Sequence, residues 1–251
     1  MRILIIGGTS GIGFSVATGL RKRGYEVILT THTFEEKEVL TEKVKDLNID
    51  VYKMDVLDDN DLKLINRLSF DCIWVNHALG FSTAIMHSNL DEVKEVYDVN
   101  VFSYIKLLKI ATNYFCDKNK KGKIIVTSSL SSLCNIDHFG IYASSKSALS
   151  EICYTFSKEC KIYNYPISFI LLELGTYRTG FNQLILNYAE NECSKKYVNR
   201  LKLIFKIIEK KKFNDVENEI YRALNSDKRW ILIRKPFLQS FFIKIYTIIF
   251  R

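Results

Sequence analysis

The sequence predicts an α/β fold in which helices cover both faces of a doubly wound parallel sheet. Short β-branched runs alternate with helix-length segments through the first two thirds of the chain, and a glycine-rich turn directly follows the first run. Such alternation is typical of repeated βαβ units. With 251 residues, of which 47% are hydrophobic and 25% charged, we expect one domain spanning residues 1–251.

The strands are predicted where these apolar runs lie, with helices between them. Pro166 and Pro236 each stand where a new element should begin. The predicted strands are Arg2 to Ile6, Glu26 to Thr31, Asp50 to Met54, Asp71 to Val75, Lys123 to Thr127, Ile167 to Leu172 and Trp230 to Ile233.

Cysteine and histidine usage argues against a disulfide framework and a metal site. The six cysteines include no Cys-x-x-Cys pair and the four histidines lie far apart. The apolar run Ile3 to Ile6 is too short for a signal peptide, and no run approaches the roughly 20 apolar residues of a membrane-spanning helix. We therefore expect a reduced, cytoplasmic protein.

The net charge of +8 is concentrated in two C-terminal segments. Between Lys195 and Lys212 there are eight basic residues against the single Glu209, and residues 234–251 add four basic residues and no acid. The rest of the chain is slightly acidic. No recognised nucleic-acid module accompanies this local excess, so we expect no nucleic-acid partner.

The turn after the first strand, "GGTSGIG", predicts a phosphate-binding loop. Gly7, Gly11, Ile12 and Gly13 lead from strand into helix, where a glycine backbone can approach a pyrophosphate and the helix N-terminus offers free N–H donors. The alternative is a tight strand-to-helix turn without a ligand.

The spacing Gly-x-x-x-Gly-x-Gly resembles that of the short-chain dehydrogenase/reductase family, which implies a Rossmann-type fold. In that family a serine at the end of the fifth strand lies 13 positions before a catalytic tyrosine, which precedes a lysine by four. The Tyr-x-x-x-Lys pattern occurs three times here, but only Tyr142 has such a serine, Ser129. The other two pairs are Tyr114/Lys118 and Tyr154/Lys158.

The resemblance implies a catalytic group of Asn100, Ser129, Tyr142 and Lys146. Residues four apart share a helix face, so Lys146 can lower the pKa of the Tyr142 phenol, ordinarily about 10. Tyr142 would then protonate a substrate carbonyl as general acid, or act as base in reverse. Ser129 would polarise the same oxygen, Lys146 would hold the nicotinamide ribose, and Asn100 would position a water. No metal is required.

Further positions resemble the cofactor-binding segments of the family. Asp55 and Val56 would meet the adenine ring, although an aspartate there also suits a helix cap. In "VNHAL", Asn76 and Ala78 match the family segment after strand four, whereas His77 and Leu79 depart from it.

After strand six, Gly175 and Thr179 match the family pattern, and Thr179 would meet the nicotinamide carboxamide. Leu174 stands where proline is usual, and Ile6 stands where a threonine commonly precedes the first glycine. The resemblance covers roughly residues 2 to 180.

The end of the second strand favours NADP(H) and leaves NAD(H) as the alternative. An acid there would bind the adenosine ribose hydroxyls and select NAD. Thr31 occupies that position and is followed by His32 and Thr33, whose imidazole and hydroxyl can receive a 2′-phosphate. Glu35 and Glu36 keep NAD open, or simply begin the next helix.

The segment covering the substrate is expected at about residues 177–212, and a basic apolar tail at about 234–251. The helix within 195–212 should carry Tyr197, Leu201, Ile204, Phe205 and Ile208 on one face. It either packs on the domain with a solvated lysine side, or lies with the tail on the inner face of a membrane. An oligomer contact or a flap is the alternative for the tail.

These observations predict an NAD(P)H-dependent oxidoreductase that reduces a ketone or oxidises a secondary alcohol. A keto-sugar or a sugar or polyol phosphate of surface-polysaccharide assembly is the substrate expected first, and an apolar carbonyl, 3-oxoacyl or steroid-like, the alternative. A non-catalytic dinucleotide-binding or membrane scaffold is the competing class. Family members usually pair through helices around residues 101–118 and 143–160, so a homodimer or homotetramer is expected.

Overall fold

Seven strands form one parallel sheet in the computed structural model, which describes residues 1–241 and 243. Their order across the sheet is β3-β2-β1-β4-β5-β6-β7, so the chain winds outwards in both directions from β1 and β4. The predicted doubly wound, Rossmann-type α/β fold is confirmed. The strands are β1 (Arg2–Ile6), β2 (Glu26–Thr31), β3 (Asp50–Lys53), β4 (Cys72–Val75), β5 (Gly122–Ser129), β6 (Ile167–Leu174) and β7 (Trp230–Lys235).

Helices fill the connections between these parallel strands, as each crossover requires. They are α1 (Gly11–Lys22), α2 (Phe34–Val44), α3 (Asp59–Leu62), α4 (Leu64–Arg67), α5 (Leu90–Tyr97), α6 (Ser103–Asp117), α7 (Gly140–Ile162), α8 (Gly180–Glu192), α9 (Lys195–Ile208) and α10 (Asn214–Leu224).

The two faces of the sheet bury two separate apolar cores. In β1, Leu4 and Ile6 point into the core beneath α3, α4, α6 and α7, whereas Ile3 and Ile5 point into the core beneath α1, α2 and α10. Because successive side chains of a strand alternate between faces, a strand covered on both sides is apolar throughout. The continuous run at the start of the chain therefore marks an inner strand.

The last strand is longer than the predicted Trp230 to Ile233, which corrects the predicted tail. Arg234 belongs to β7 and pairs with the fully buried Glu173 of β6. Lys235 pairs with Glu219 of α10 at 3.1 Å. The first two cations of segment 234–251 are thus neutralised within the fold. Of that segment, residues 242 and 244–251 lie outside the described residues.

A third apolar cluster lies around Tyr142, beyond the carboxyl ends of the strands. Its buried members are Phe139, Tyr142, Ile185, Ala189, Val198 and Leu201. The predicted face of α9 is partly wrong, because Ile204 and Ile208 are 37% and 39% exposed and Val198 is buried in their place. Among the residues that the structure describes, no helix is long and apolar enough to cross a membrane.

Candidate active site

The glycines of the turn between β1 and α1 let its backbone pack closely against the neighbouring backbone. Gly7 has a φ of +81°, and a Cβ built on it would lie 2.6 Å from the backbone nitrogen of His77. A Cβ on Gly13 would lie 2.6 Å from the carbonyl oxygen of Gly7. Larger residues at either position would displace the turn.

The N-terminus of α1 is open to an anion. Its N-cap residue, Ser10, makes no side-chain capping bond, and the first turn contains no acidic residue. The free N–H groups and the helix dipole therefore face the glycine turn uncompensated. This arrangement fits a pyrophosphate group.

Asn76 fixes the turn from the adjacent strand. Its side-chain amide donates to the carbonyl oxygen of Gly7 at 2.9 Å, and its own oxygen accepts from the Thr127 hydroxyl at 2.9 Å. Thr127 also accepts a 2.9 Å bond from the indole of Trp74. No sequence motif marks Thr127, because its role depends on β4 and β5 lying side by side.

Thr179 lies against the glycine turn, as its predicted role requires. Its methyl carbon is 3.1 Å from where a Cβ on Gly11 would be, and it caps the start of α8 without a side-chain capping bond. Gly175 begins the loop between β6 and Thr179, where its amide donates to the Lys235 carbonyl oxygen at 2.7 Å. The loop is therefore anchored to β7.

Ser129 and Tyr142 come together at the carboxyl end of β5. Burial raises the pKa of Tyr142 to about 12, against the opposing effect of a hydrogen bond to Ser129. The Ser129 oxygen accepts from the backbone amide and the hydroxyl of Ser131, at 3.1 and 2.8 Å. A hydrogen bond that lowers the Tyr142 pKa is one that the Ser129 hydroxyl donates, so the Ser129 proton is directed towards the Tyr142 oxygen.

Lys146 is 1% exposed and lies one helical turn after Tyr142. Its ammonium nitrogen donates to the carbonyl oxygen of Thr127 at 3.2 Å and lies 5.1 Å from the centre of the Tyr104 ring. Burial lowers the pKa of Lys146 to about 7, because a charged amine loses its hydration there.

Asn100 lies in a π-helical turn, Asp98–Phe102, between α5 and α6. Its side-chain oxygen accepts from the Leu79 amide at 2.9 Å, and its amide donates to the Leu79 carbonyl at 2.6 Å and the Ser145 hydroxyl at 3.0 Å. Single π-helical turns are frequent at functional sites. Here the turn places Asn100 between the loop after β4 and helix α7.

His77 and Leu79 are the residues of this loop that depart from the family pattern. Both form hydrogen bonds with residues in or next to the π-helical turn. The Nε2 atom of His77 lies 2.8 Å from the Ser103 hydroxyl and 3.1 Å from the Val99 carbonyl oxygen. Burial, reinforced by the charge of Lys146, lowers the pKa of His77 to about 3, so the ring is neutral. Leu79 contributes its backbone to Asn100, for which its side chain is immaterial.

At the end of β2, the residues predicted to receive a 2′-phosphate differ in their exposure to solvent. Thr31 is 2% exposed and its hydroxyl donates to the Thr33 carbonyl oxygen at 3.0 Å, so it shapes the turn. The imidazole of His32 is exposed, with Nδ1 3.7 Å from the Asp55 carboxylate. Glu36 accepts from the His32 amide at 2.9 Å, which keeps one carboxylate close to this end.

The remaining predicted cofactor residues occupy the borders of the site. Asp55 accepts from the Leu57 amide at 2.9 Å, as a local cap would. Val56 is 9% exposed, Ile12 packs against the core beneath α1, and Ala78 is exposed.

Two side chains that the motifs do not mark, Phe181 and Gln239, contact Tyr142 and the loop after β6 respectively. A Cβ on Gly80 would lie 2.7 Å from the Tyr142 ring, and the Phe181 ring centre lies 5.2 Å from that ring. The side chain of Gln239 accepts from the Thr176 amide at 2.8 Å and donates to the Ile208 carbonyl at 2.7 Å. No local pattern could have revealed Gln239, which is 63 residues from Thr176.

The family is established by a match across most of the chain. Residues 1–188 match the family model described as short chain dehydrogenase. The chain therefore belongs to the short-chain dehydrogenase family, and the resemblance deduced from the glycine spacing and the Ser-Tyr-Lys group is confirmed.

A curated relative is the 11-beta-hydroxysteroid dehydrogenase A of Sesamum indicum. It is 28% identical over 168 residues, which cover 62% of this chain and 47% of that protein. The chain spans about half to two thirds of the length of the first curated relatives that it matches.

Solved structures share the fold over nearly the whole chain. A single-residue variant of actinorhodin polyketide ketoreductase with NADPH has a TM-score of 0.78 at 16% identity, covering 93% of this chain and 95% of that one. A 4-hydroxyisoleucine dehydrogenase complexed with NADH has a TM-score of 0.73 at 21% identity, covering 93% and 96%. At such identities these likenesses show the fold alone.

Proposed function

We propose that this protein interconverts a ketone and a secondary alcohol with a nicotinamide dinucleotide as the hydride carrier. The observation that carries the proposal is the meeting of Ser129, Tyr142 and Lys146 at the carboxyl edge of the sheet, beside the glycine turn. Ligands of open parallel sheets bind at that edge.

Tyr142 is the proton donor in reduction. Its raised pKa keeps the phenol protonated at neutral pH, which is the form that gives a proton to a carbonyl oxygen. With substrate bound, the Ser129 hydroxyl would donate its proton to the same carbonyl oxygen and stabilise the charge that develops there. The positive charge of Lys146, when protonated, favours the phenolate left after the proton has moved.

The residues at the glycine turn fit a dinucleotide, whose nicotinamide would supply the hydride. Gly7, Gly11 and Gly13 let the turn adopt its compact path at the start of α1, and the open N-terminus of that helix would attract the negative charge of the pyrophosphate. Lys146 would hold the ribose hydroxyls and Thr179 the carboxamide. Asn100, held between Leu79 and Ser145, would align the residues through which a proton returns to Tyr142.

NADP(H) is the cofactor we favour. His32 is exposed at the end of β2, and its imidazole can donate a hydrogen bond to a 2′-phosphate. Glu36 is the residue that would instead favour NAD(H), because its carboxylate lies beside the same turn. The choice between the two is therefore a competition between His32 and Glu36.

An apolar ketone or alcohol, the alternative in the sequence analysis, is the substrate class we propose. The side chains gathered around Tyr142 are mostly aliphatic or aromatic, among them Phe139, Phe181 and Ile185. The relative described above is named as a hydroxysteroid dehydrogenase. None of the proteins described above has a sugar in its name, so the keto-sugar expectation has no support from them.

The proposal is tested with the purified full chain in two steps. Titration with NADPH and NADH, followed by nicotinamide fluorescence, should show binding with NADPH preferred; His32→Ala should reduce that preference, whereas Glu36→Gln should increase it. A panel of a steroid-like ketone, a 3-oxoacyl thioester and a keto-sugar is then offered with the preferred cofactor. Oxidation of the nicotinamide by the first two supports the proposal.

Binding without turnover of any ketone or alcohol would favour the non-catalytic scaffold, and binding of neither cofactor would contradict the proposal. Turnover confined to the keto-sugar would restore the first substrate expectation.

We also propose that two copies pair through α6 and α7. A groove of about 750 Å³ lies between these helices, lined among others by Ile105, Thr112, Ile152 and Phe156. The groove lies between the same two helices that are expected to pair. Light scattering should show a dimer or tetramer that Ile152→Arg dissociates; a monomeric wild-type protein would contradict the assignment.

A further inference from the structure

Large apolar side chains are exposed on the C-terminal half of α9 and on the segment after β7. We name this surface the α9–tail patch. Ile207 is 72% exposed, Phe237 70% and Leu238 67%. The other members are Leu203, Ile204 and Ile208.

Helix α9 is apolar on two sides, only one of which packs on the domain. Val198 and Leu201 are buried in the cluster around Tyr142. Leu203 and Ile207, four residues apart, lie on a common face directed away from that cluster. A helix at the surface of a globular protein usually presents polar side chains on that outer face.

Gln239 joins the two halves of the patch into one surface. Its amide donates to the Ile208 carbonyl oxygen at 2.7 Å, while its oxygen accepts from the Thr176 amide at 2.8 Å. In the chain, Ile207 adjoins Ile208 and Leu238 adjoins Gln239, and Ile208 and Gln239 are the two residues joined by the first of these bonds. The exposed side chains therefore form one patch rather than two isolated groups.

Cations without acidic partners lie along α9 and directly after it. In the described part of the chain, Lys202 pairs with Glu190 and Lys210 with Asp215. Six further exposed cations of the same region, Lys195, Lys196, Arg200, Lys206, Lys211 and Lys212, are in no ion pair within residues 1–241 and 243. Their charge is directed to solvent.

We propose that the α9–tail patch docks onto an anionic lipid bilayer. Aliphatic and aromatic side chains beside unpaired cations match the boundary between acyl chains and acidic head groups. The same aliphatic side chains offer a nucleic acid nothing to contact, and the adjacent Glu209 carboxylate, which would attract a basic protein partner, already accepts from the Asn182 amide at 2.8 Å. The inference goes beyond the proposed reaction and does not depend on it.

The first test is sedimentation of the full-length protein with lipid vesicles. The protein should pellet with vesicles of phosphatidylcholine and phosphatidylglycerol in equal parts, and far less with phosphatidylcholine alone. Raising NaCl from about 0.1 M to about 1 M shortens the Debye length from about 10 Å to about 3 Å, which should release most of the protein.

Paired variants separate the apolar from the charged contribution. Ile207→Ser with Phe237→Ser should weaken vesicle partitioning at least about tenfold, because two large apolar groups no longer leave water. Val39→Ser is the matched control, since Val39 is 72% exposed on α2. Lys211→Gln with Lys212→Gln should weaken binding to anionic vesicles several-fold, whereas Lys22→Gln with Lys121→Gln should not.

Three results would overturn the proposal. They are absence of wild-type binding to anionic vesicles at low salt, equal losses in the patch variants and their controls, and dissociation of a wild-type oligomer by Ile207→Ser and Phe237→Ser. The last result would identify the occupant as a second copy of the chain. Because vesicle binding requires no turnover, a failure here leaves the proposed reaction untouched.

Discussion

Helix α7 contains two Tyr-x-x-x-Lys pairs that share a spacing but have different surroundings. In its N-terminal half, Tyr142 adjoins Ser129 and Lys146 is 1% exposed. In its C-terminal half, Tyr154 donates to Glu173 at 3.0 Å, while Lys158 is exposed. The spacing that suggests chemistry is therefore satisfied twice on one helix.

The pKa of the phenol does not distinguish the two pairs. Burial raises the pKa of Tyr142 and that of Tyr154 to about 12, and Glu173 adds to the effect at Tyr154. The difference lies in the remaining hydrogen-bonding capacity, because Arg234 also donates to the Tyr154 hydroxyl at 3.0 Å. The comparison teaches that a reactive tyrosine needs neighbours that leave its proton available.

The third pair, Tyr114 and Lys118 at the end of α6, contributes to packing. Tyr114 stacks on Phe70 with ring centres 4.1 Å apart and accepts from the Phe70 amide at 3.2 Å. The ammonium of Lys118 lies 4.0 Å from the centre of the Tyr114 ring. Such a cation–π contact stabilises the end of the helix and has no catalytic role.

The largest expected effect comes from breaking the pairs in turn. Tyr142→Phe removes the proton donor and should lower kcat by about 10²–10⁴-fold, with cofactor affinity retained. Tyr154→Phe is the matched change on the same helix and should leave kcat within about threefold, since general acid catalysis is not lost. Steady-state kinetics on the best ketone of the panel measures both. Comparable losses in the two variants would mean that the comparison is wrong.

Removal of Arg234 should expose the structural role of the second pair. Arg234→Met leaves Glu173, which is 0% exposed, as a buried charge without its cation, and should cost about 3–5 kcal/mol of unfolding free energy. Lys235→Met, which breaks the more exposed pair with Glu219, should cost about 1 kcal/mol or less. Urea denaturation measures the difference, and equal losses would contradict the assignment.

Substitutions of Ser129 and of its neighbour Ser128 test which serine acts with Tyr142. Ser129→Ala removes a donor to the carbonyl oxygen and should lower kcat by about 10²–10³-fold. The Ser128 hydroxyl is buried between the Lys146 carbonyl oxygen and Ser150, so Ser128→Ala should cost about 1 kcal/mol of stability with little effect on kcat. A fall in kcat for Ser128→Ala alone would point to the wrong serine.

A further effect is a pH dependence of stability that comes from Lys146. Its folded pKa of about 7 lies below the ordinary lysine pKa of 10.5, so between these pH values the unfolded chain binds more protons than the folded one. Unfolding free energy should therefore rise with pH across that window, by up to about 1.4 kcal/mol per unit. The rise should be absent in Lys146→Met.

This slope is measured without cofactor, by denaturation at several pH values, with Lys158→Met as the exposed reference on the same helix. A wild-type slope that persists in Lys146→Met would show that another group causes it.

Much of the fold and of the reactive group follows from local patterns. The predicted β1 and β2 have the bounds seen in the structure, because their apolar runs end sharply at glycine and polar residues. By contrast, β7 continues through Arg234 and Lys235, which look like solvent-exposed cations until Glu173 and Glu219 are placed beside them. A local pattern cannot show a partner 61 residues away.

The sequence by itself determined the class of this protein: the alternating strands, the glycine spacing and a serine 13 residues before Tyr142 are all local or short-range features. Only the tertiary structure decided that Thr31 turns inward, that Phe181 packs beside Tyr142 and that Gln239 ties the tail to Thr176 and Ile208. The physical reason is that a sequence motif determines only which functional groups are present. Burial and hydrogen-bond partners, which come from distant parts of the chain, decide which of those groups remain free to act.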